Sequence, residues 1–446
     1  MNIPRDTANV LSALELHGIK AYPVGGCVRD FVLGKVPNDF DIAASATPDE
    51  LCHAAEAAGF RTVDVGLSFG TLRFISGESV IEVTCCRSEG DYRDCRRPDS
   101  VVYTKDIRTD LSRRDFTVNA MAYSKDEGII DLFGGIEDAK NKIIRTVGLP
   151  EDRFREDALR ILRALRFSSV LDFDIDADTK AAIHALYPLL KSIAAERIYE
   201  ELKKLLCGKR AVAVLSEFSD VICEIIPELS PAVGFEQRNP YHIYDVYTHS
   251  VKAVGFCPEN DFALRLCALL HDIGKPCTCT EDEKGIRHFK GHPEKGAEIA
   301  KKVLHRLRAD TKTANEICDL IKFHDVRPLP TERDMHLYLL KTGFPLAKRL
   351  FALRFADLRA HAPICEKQLA ELEEEKRITA YLEEKNACVS LSQLNINGKD
   401  IIKSGIAAGP RVGEILNSLL IMVAEGKCEN EKSSLNDAVI SNFFEK

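Results

Sequence analysis

Two short stretches near the N-terminus carry the strongest structural signal in this chain: Gly25-Gly26-Cys27-Val28-Arg29-Asp30 and Asp39-Phe40-Asp41-Ile42. The first joins a glycine turn to a basic residue, and the second alternates acidic and apolar side chains. In an extended strand Asp39 and Asp41 lie on one face, so both carboxylates can reach the same divalent metal. Mg²⁺ prefers carboxylate, phosphate and water, and it can bridge attacking and leaving oxygens. The pattern therefore predicts a nucleotidyl-transfer site.

A third acid, Glu82, lies in Val80-Ile81-Glu82-Val83-Thr84, where its apolar neighbours point the opposite way. A lone Asp-x-Asp is usually a solvated turn, but a glycine pair before it and a strand acid after it favour a site. This order of motifs resembles the nucleotidyltransferase superfamily that includes DNA polymerase beta. The resemblance implies an α/β head with a polymerase-beta-like mixed sheet, in which Asp39, Asp41 and Glu82 are the catalytic acids.

Length and composition describe a globular chain without membrane segments. The 446 residues suffice for two to four domains, and 45% are hydrophobic against 29% charged. No apolar run approaches the roughly 20 residues that a membrane span needs. The N-terminus lacks a signal pattern, so the 15 cysteines are expected to be reduced thiols in the cytoplasm.

Charge is unevenly distributed along the chain. The net charge of −8 does not describe a protein that coats nucleic acid. The arginines nevertheless converge in three segments, namely Arg93, Arg96 and Arg97, then Arg113 and Arg114, then Arg153, Arg155, Arg160, Arg163 and Arg166. Phosphate affinity depends on where cations converge and not on the total charge, so the net charge does not exclude a basic cleft on an acidic body.

The residue pattern changes along the chain. Residues 1–150 mix β-branched strands with helices, and the pattern beyond Pro150 is almost wholly helical. A cluster of prolines with Gly234 marks a boundary near 230. The sequence predicts an α/β head at 1–150, a helical neck at 151–230, a helical body at 231–365 and a helical tail at 366–446.

Two further motifs suggest how a nucleotide is held. Arg113-Arg114-Asp115-Phe116-Thr117-Val118-Asn119-Ala120 offers two guanidinium groups for phosphate charge, and Asn119 offers a sugar hydroxyl both a donor and an acceptor. In Glu156 to Phe167 the apolar residues have helical spacing, so Asp157 and Arg160 are expected to be neighbours on one helix face. They could form an ordinary surface ion pair. Alternatively, the carboxylate accepts from an exocyclic amine and the guanidinium donates to a ring acceptor, which selects C and A over U and G.

The ordered motifs, with Ala195-Glu196-Arg197-Ile198, resemble the class II tRNA nucleotidyltransferases, the family of CCA-adding enzymes. The resemblance implies that Asp39 and Asp41 hold Mg²⁺ and that the nucleotide is bound by residues of the later motifs. These are Gly25, Gly26 and Arg29 at the triphosphate, Arg113, Arg114 and Asn119 beside the nucleotide, and Asp157 and Arg160 as a base-selecting template supported by Arg163 and Arg166. The implied partners are the tRNA 3′ end and acceptor arm, CTP and ATP, with no membrane.

Family members add CCA, only CC, only the terminal A, or poly(A). The segment Arg87 to Asp99 has the length of the mobile loop that the family needs to change from C to A, which favours complete CCA addition. A bacterial poly(A) polymerase is the alternative, but it usually carries a basic C-terminal extension, whereas this chain ends with the acidic Glu429 to Lys446.

Residues 242–361 contain a second ordered set that resembles an HD-domain phosphohydrolase, so that an HD body would lie between neck and tail. The resemblance implies one metal on His249, His271, Asp272 and Asp357, and a second on His292 and His324. Imidazole and carboxylate ligands suit Mn²⁺, Ni²⁺ or Co²⁺. The expected activity is hydrolysis of 2′,3′-cyclic or terminal phosphates, with a relic helical domain as the alternative. The HD site could also be the main activity; a non-catalytic RNA-binding protein is disfavoured by the intact Asp39 and Asp41.

Overall fold

The computed structural model describes residues 1–66, 70–89 and 101–443. It divides into two compact units, Met1–Pro227 and Glu228–Lys446. The division lies close to the boundary that the sequence suggests near 230. The finer division into four domains stays a prediction.

The first unit is built on a seven-stranded sheet with the order β3-β4-β5-β2-β1-β8-β9. The strands of this unit are β1 (Ala21–Val24), β2 (Asp41–Ala44), β3 (Arg61–Gly66), β4 (Thr71–Ser76), β5 (Ser79–Cys85), β6 (Arg87–Glu89), β7 (Val101–Tyr103), β8 (Met121–Ser124), β9 (Gly128–Asp131), β10 (Ile143–Ile144) and β11 (Asp174–Ile175). Only β2 and β5 run parallel in the seven-stranded sheet; its other described pairs are antiparallel. The mixed sheet expected for the head is therefore confirmed.

Helices cover the sheet and continue beyond it. In the first unit they are α1 (Arg5–Leu16), α2 (Gly26–Val32), α3 (Pro48–Ala57), α4 (Ile107–Ser112), α5 (Gly135–Asn141), α6 (Pro150–Glu156), α7 (Leu159–Leu171), α8 (Ala177–Leu186), α9 (Ala195–Leu206), α10 (Ala211–Glu217) and α11 (Ser219–Ile225). One face of the sheet packs on α1 and α3 through Leu14, Leu51 and Phe74, all at most 1% exposed. Burial of such side chains fixes which strand residues face the opposite, polar cleft.

The second unit is helical except for one short hairpin. Its elements are α12 (Val246–Val254), α13 (Phe262–Leu270), α14 (Lys275–Thr278), β12 (Thr280–Glu281), β13 (Arg287–His288), α15 (His292–Arg306), α16 (Thr311–Phe323), α17 (Glu332–Arg359), α18 (Glu366–Glu384), α19 (Gly398–Lys403), α20 (Pro410–Ala424) and α21 (Lys432–Phe443). The long segment α17 is interrupted at Gly343, whose φ of +65° is left-handed. The predicted change to a helical pattern after residue 150 is confirmed for the described residues.

Part of the predicted mobile loop lies outside the described residues. Arg87–Glu89 forms β6 and pairs with β7. Residues 90–100, with Arg93, Arg96 and Arg97, are not described. Within the described ranges no helix is long and apolar enough to cross a membrane, and each cysteine is a free thiol.

Candidate active site and candidate metal centre

Three carboxylates meet at one place on the sheet. Asp41 begins β2, and Glu82 lies on the adjacent parallel strand β5. Phe40 and Ile42 are buried while Asp39 and Asp41 are exposed, as the alternation predicts, although Asp39 precedes the strand. Desolvation first, then the charges of Glu82 and Asp39, raise the pKa of Asp41, and only Arg114 opposes them.

The mutual repulsion of these acids fits a divalent cation. A carboxylate whose pKa is raised by neighbouring carboxylates, as that of Asp41 is, is stabilised when a hard cation binds beside it. Glu82 is also ion-paired with Arg73 on β4, at 3.3 Å between Nη2 and Oε2, and both side chains are partly exposed. The acids therefore face a solvent-reachable cleft and not the core.

The glycine turn positions Arg29 beside this cleft. Gly25 has φ +73°, and a Cβ there would lie 3.2 Å from Nη1 of Arg114, so a side chain at this position is disfavoured by both backbone and space. Helix α2 starts at Gly26 and carries Arg29, whose Nη1 donates to Oδ1 of Asn119 at 2.7 Å. Asn119 is only 7% exposed, and this bond leaves its amide group available to a ligand.

The two adjacent arginines are held by a single buried acid, Asp110. It is 1% exposed; its Oδ1 accepts from Nη2 of Arg113 at 2.6 Å and its Oδ2 from Nη2 of Arg114 at 3.1 Å. Burial alone would raise the pKa of Asp110, but the two guanidinium groups lower it. The two arginine side chains are 19% and 21% exposed, so Asp110 fixes two cations that are partly in contact with solvent.

The continuous helix predicted from Glu156 to Phe167 is wrong. Helix α6 ends at Glu156, Asp157 has extended backbone angles, and α7 begins at Leu159. Oδ1 of Asp157 accepts a hydrogen bond from the backbone N–H of Leu159 at 3.0 Å, and this side-chain contact competes with continuation of the helix. The apolar spacing across the break reflects two helices that share one core, so the period alone could not reveal the interruption.

Asp157 and Arg160 consequently do not pair with each other. Oδ2 of Asp157 accepts from Nη2 of Arg197 at 2.9 Å. Arg160 is 8% exposed, pairs with Glu156, and donates to the carbonyl of Arg113 at 3.2 Å. The surface ion pair between them is therefore excluded, and each side chain is held separately by a different partner.

The two arginines expected to support the template are anchored by buried acids. Arg163 donates through Nε to Oδ2 of Asp115 at 2.7 Å, and Nε of Arg166 lies 2.6 Å from Oε2 of Glu201. The guanidinium of Arg166 also stacks on the ring of Phe167, 3.8 Å from its centroid. Although burial acts against it, pairing with Arg163 lowers the pKa of Asp115, so the acid is ionised.

A second cluster lies in the other unit and contains all six predicted ligands. His249 comes from α12, His271 and Asp272 follow α13, and Asp357 lies on α17. Nε2 of His249 is 2.8 Å from Oδ1 of Asp357 and 3.6 Å from Oδ2 of Asp272. Nε2 of His271 is 3.3 Å from Oδ2 of Asp272 and 3.5 Å from Oδ1 of Asp357. Ligands at about 2.1 Å from a common cation lie about 3.0 to 3.4 Å apart, so these four atoms fit one cation.

The remaining two histidines meet the opposite oxygen of Asp272. Its Oδ1 is 3.4 Å from Nε2 of His292 and 3.8 Å from Nε2 of His324, and the two nitrogens are 3.1 Å apart. A carboxylate that offers one oxygen to each group can bridge two cations. Burial alone would raise the pKa of Asp272, but His271 and Lys275 hold it well below its usual range.

Backbone carbonyls set the orientation of the imidazoles. The Nδ1 atom of His271 lies 2.7 Å from the carbonyl oxygen of Ala268. His292 and His324 make equivalent contacts with the carbonyl oxygens of Phe289 and Ile321. A carbonyl only accepts, so Nδ1 carries a proton in each ring and Nε2 is the nitrogen directed at the cluster. Nε2 of His271 is buried without a hydrogen-bond partner. Imidazole Nε2 atoms and carboxylate oxygens that converge in this way could hold a metal ion.

Sequence reasoning missed four residues around this cluster. Lys275 places Nζ 2.7 Å from Oδ2 of Asp272 and 2.8 Å from Oε1 of the buried Gln237. His242 and His361 form a further group of possible ligands with His249. Burial lowers the pKa of His242 to about 2, so its ring is neutral.

Three family models match successive parts of the chain. They are the poly A polymerase head domain at residues 21–145, the probable RNA and SrmB-binding site of polymerase A at 172–230, and the putative tRNA nucleotidyltransferase domain 2 at 294–439. The first covers the sheet with the three carboxylates. The order of the models agrees with an α/β head followed by helical segments.

Whole-chain relatives decide between the members of this wider group. The CCA-adding enzyme of Limosilactobacillus reuteri is 34% identical over 436 residues, which cover 96% of this chain and 94% of the relative. The chain belongs to the CCA-adding enzymes. The CCA-adding enzyme of Geobacillus kaustophilus is likewise 34% identical and covers 96% of this chain. The predicted tRNA nucleotidyltransferase class is thereby confirmed.

Solved CCA-adding enzymes share this fold. The Bacillus stearothermophilus enzyme in complex with CTP is 30% identical, has a TM-score of 0.74, and covers 99% of this chain and 98% of its own. The Thermotoga maritima enzyme complexed with tRNA_CCA has a TM-score of 0.58 at 22% identity, which is a likeness of fold alone.

Two positions in the first unit also escaped sequence reasoning. Asp110 lies just before the Arg-Arg-Asp block of this CCA-adding enzyme, and Arg197 lies in the Ala-Glu-Arg-Ile block without an assigned role. The three-residue spacing of Asp110 to Arg113 is a helical ion-pair signal that could have been read from the sequence. The pairing of Arg197 with Asp157 spans 40 positions and carries no local signal.

Proposed function

We propose that this chain adds C, C and A to the 3′ end of tRNA in the cytoplasm, using CTP and ATP and no nucleic-acid template. The observation that carries the proposal is the cleft in which Asp41 interacts with Asp39, Glu82 and Arg114, and in which Asp110 holds Arg114 next to Arg113. Acids for a cation beside cations for phosphate are the two requirements of nucleotidyl transfer. Relatives of nearly the same length carry the name CCA-adding enzyme.

Asp39 and Asp41 would hold Mg²⁺, with Glu82 as the third acid, and bound Mg²⁺ would supply charge neutralisation between the ribose 3′ oxygen and the triphosphate. The raised pKa of Asp41 indicates an acid that gains from a nearby cation. Gly25 and Gly26 carry no side chain, so the triphosphate could approach their backbone closely. A side chain at Gly25 would instead contact Arg114.

Arg29, Arg113 and Arg114 would bind the phosphate oxygens. Arg29 donates to both Asn119 and Asp30, and Asp110 holds Arg113 and Arg114, so all three guanidinium groups are positioned before a substrate binds. Side chains that are fixed before the substrate binds lose little freedom on binding, which favours correct alignment of the reacting atoms.

Asp157 and Arg160 would select the base. Held by Arg197, Asp157 retains lone pairs for the exocyclic amine of C or A, while the guanidinium of Arg160 donates to the neighbouring ring acceptor. Arg163 and Arg166, ion-paired with Asp115 and Glu201, would support this wall. U and G present a carbonyl in place of the amine, and the carboxylate oxygens of Asp157 would repel that carbonyl oxygen.

The decisive test incubates the purified chain with tRNA that lacks its 3′ end, with CTP, ATP or both, and sequences the products. Complete CCA with both nucleotides is expected, and a poly(A) product or no product refutes the proposal. Asp41→Ala should abolish addition without unfolding the protein, because it removes a ligand in an exposed cleft. Asp157→Ala should permit misincorporation from UTP and GTP.

We also propose that the second cluster is an HD-type metal centre with phosphohydrolase activity on 2′,3′-cyclic or terminal phosphates. The Nε2 atoms of His249 and His271 lie 2.8 to 3.6 Å from the oxygens of Asp272 and Asp357, which fits one cation, and the other oxygen of Asp272 fits a second. Imidazole-rich donors favour Mn²⁺, Ni²⁺ or Co²⁺, which when bound would activate a water.

Cation binding and activity test this second proposal separately. Equilibrium dialysis with Ni²⁺ should give two bound ions at the cluster, and His292→Ala should leave one. His271→Ala with Asp272→Ala should lose both ions and all release of phosphate, yet retain CCA addition. Absence of hydrolysis with each of the three cations would leave this region as a scaffold.

A further inference from the structure

The metal-ligand cluster opens into a cavity larger than a phosphate group needs. Its volume is about 630 Å³, and its walls include Asp272, His292 and Asp357 of the cluster. Cavities of roughly 300 to 1,000 Å³ hold organic ligands of drug size. The space therefore suits a phosphate ester that carries a substantial organic group.

An exposed aromatic ring stands in the wall of this cavity. Tyr241 is 50% exposed, although tyrosine gains free energy when its ring is covered. Its backbone is fixed on both sides: its N–H donates to Oδ1 of Asn239 at 3.1 Å, and its carbonyl accepts from the N–H of Ala362 at 2.9 Å. The following residue, His242, lines the same cavity. An aromatic face held in this way is a platform on which a base can stack.

The cationic residues of the wall differ in how far they are engaged. Arg287 pairs with Glu281, and Arg327 pairs with Asp325. Lys290 is exposed, lies two residues before the ligand His292, and makes no ion pair or side-chain hydrogen bond with the residues that the structure describes. Lys290 is therefore the wall cation with its charge available to an anion.

We propose that this cavity contains a nucleotide subsite, in which Tyr241 stacks on a base and Lys290 pairs with a phosphate oxygen while the cluster holds the ester. The ligand class is a nucleoside phosphate, supplied as a free nucleotide or as the terminal nucleotide of an RNA. The inference rests on the proposed phosphohydrolase function, and it adds that the base, and not only the phosphate, is recognised.

Equilibrium dialysis of the full chain loaded with Mn²⁺ measures what the base contributes. The probes are adenosine 3′-phosphorothioate, which resists hydrolysis, and the base-free ribose 5-phosphorothioate. The variant His271→Ala with Asp272→Ala provides the blank for nucleotide bound elsewhere. Wild type should bind the nucleoside probe roughly fivefold or more tightly than the base-free probe.

Matched variants separate stacking from charge. Tyr241→Ala should remove the preference for the nucleoside probe, whereas Tyr241→Phe should keep it, as should Tyr381→Ala, which changes an exposed tyrosine outside the cavity. Lys290→Ala should weaken both probes by the same factor, and Lys284→Ala, at the tip of the hairpin, should weaken neither. A nucleoside preference that survives in Tyr241→Ala overturns the subsite.

Two more arms complete the experiment. An RNA oligonucleotide with a 3′-phosphorothioate competes with the free probe if an RNA end is the source, and fails to compete if free nucleotides are. Hydrolysis of p-nitrophenyl phosphate reports on the metal centre alone. If wild type hydrolyses this ester but Tyr241→Ala keeps the preference for the nucleoside probe, the nucleotide subsite is refuted and the phosphohydrolase function is supported. If wild type hydrolyses neither this ester nor nucleotides, the phosphohydrolase function is refuted. The dialysis still measures whether the cavity binds the nucleoside probe more tightly than the base-free probe.

Discussion

Replacement of Asp110 by asparagine tests whether one buried acid organises Arg113 and Arg114, the arginines proposed to bind the nucleotide. Asp110 is 1% exposed and receives Nε and Nη2 of Arg113 at 2.9 and 2.6 Å, and Nε and Nη2 of Arg114 at 3.3 and 3.1 Å. Asparagine keeps the shape and one acceptor but removes the charge. Two guanidinium groups are then left without their counter-ion.

The magnitude follows from burial. Loss of one partner of a fully buried ion pair costs about 3 to 5 kcal/mol. The arginine side chains here are 19% and 21% exposed, so water solvates them in part. We therefore expect Asp110→Asn to lower the free energy of unfolding by about 2 to 3 kcal/mol and to raise KM for CTP and ATP roughly tenfold.

Urea unfolding and single-nucleotide addition to tRNA measure the two effects. Asp106→Asn is the matched control on the same helix, because Asp106 caps α4 through the N–H of Arg108 at 3.0 Å and asparagine caps equally well. The control should change neither quantity. If Asp110→Asn behaves like the control, the two arginines are positioned by other contacts and the reasoning is refuted.

Three further outcomes are expected. Arg197→Ala should relax the selection of CTP and ATP over UTP and GTP, as Asp157→Ala is expected to do, because it releases the carboxylate of Asp157 from its partner. The products are sequenced, and a variant that still excludes UTP and GTP would contradict this expectation. Because Arg163 lowers the pKa of Asp115, the contribution of Asp115 to stability is fully present above its unfolded pKa of about 3.9 and is lost as pH falls through the lower folded pKa. In urea unfolding between about pH 2 and 6, Arg163→Met should therefore lose the part of the unfolding free energy that depends on ionised Asp115. Arg354→Met should destabilise the second unit by about 3 kcal/mol in thermal unfolding, since Arg354 and Glu375 are 6% and 1% exposed and 2.6 Å apart. The double variant Arg354→Met with Glu375→Leu should recover most of that loss, because no buried charge is left unpaired. Equal stabilities of the single and double variants would contradict this reasoning.

Local patterns in the sequence were sufficient for the head and its acids. The alternation Asp39-Phe40-Asp41-Ile42 predicts one polar and one apolar face, and Phe40 and Ile42 are indeed buried. Period-two alternation works here because it depends only on backbone geometry. The change to helices after residue 150 was predicted for the same reason, since amphipathic spacing is local.

The sequence by itself determined the residue types, their order and the family to which they belong. Only the tertiary structure decided which side chains meet. Asp157 binds Arg197 instead of Arg160 because α6 ends before Asp157 and α7 begins only at Leu159, so the two residues do not share a helix face. Asp272 divides its two oxygens between two sets of histidines drawn from four helices. Contacts between distant positions depend on how helices pack, and helix packing is set by the shape of the whole core, which no local pattern records.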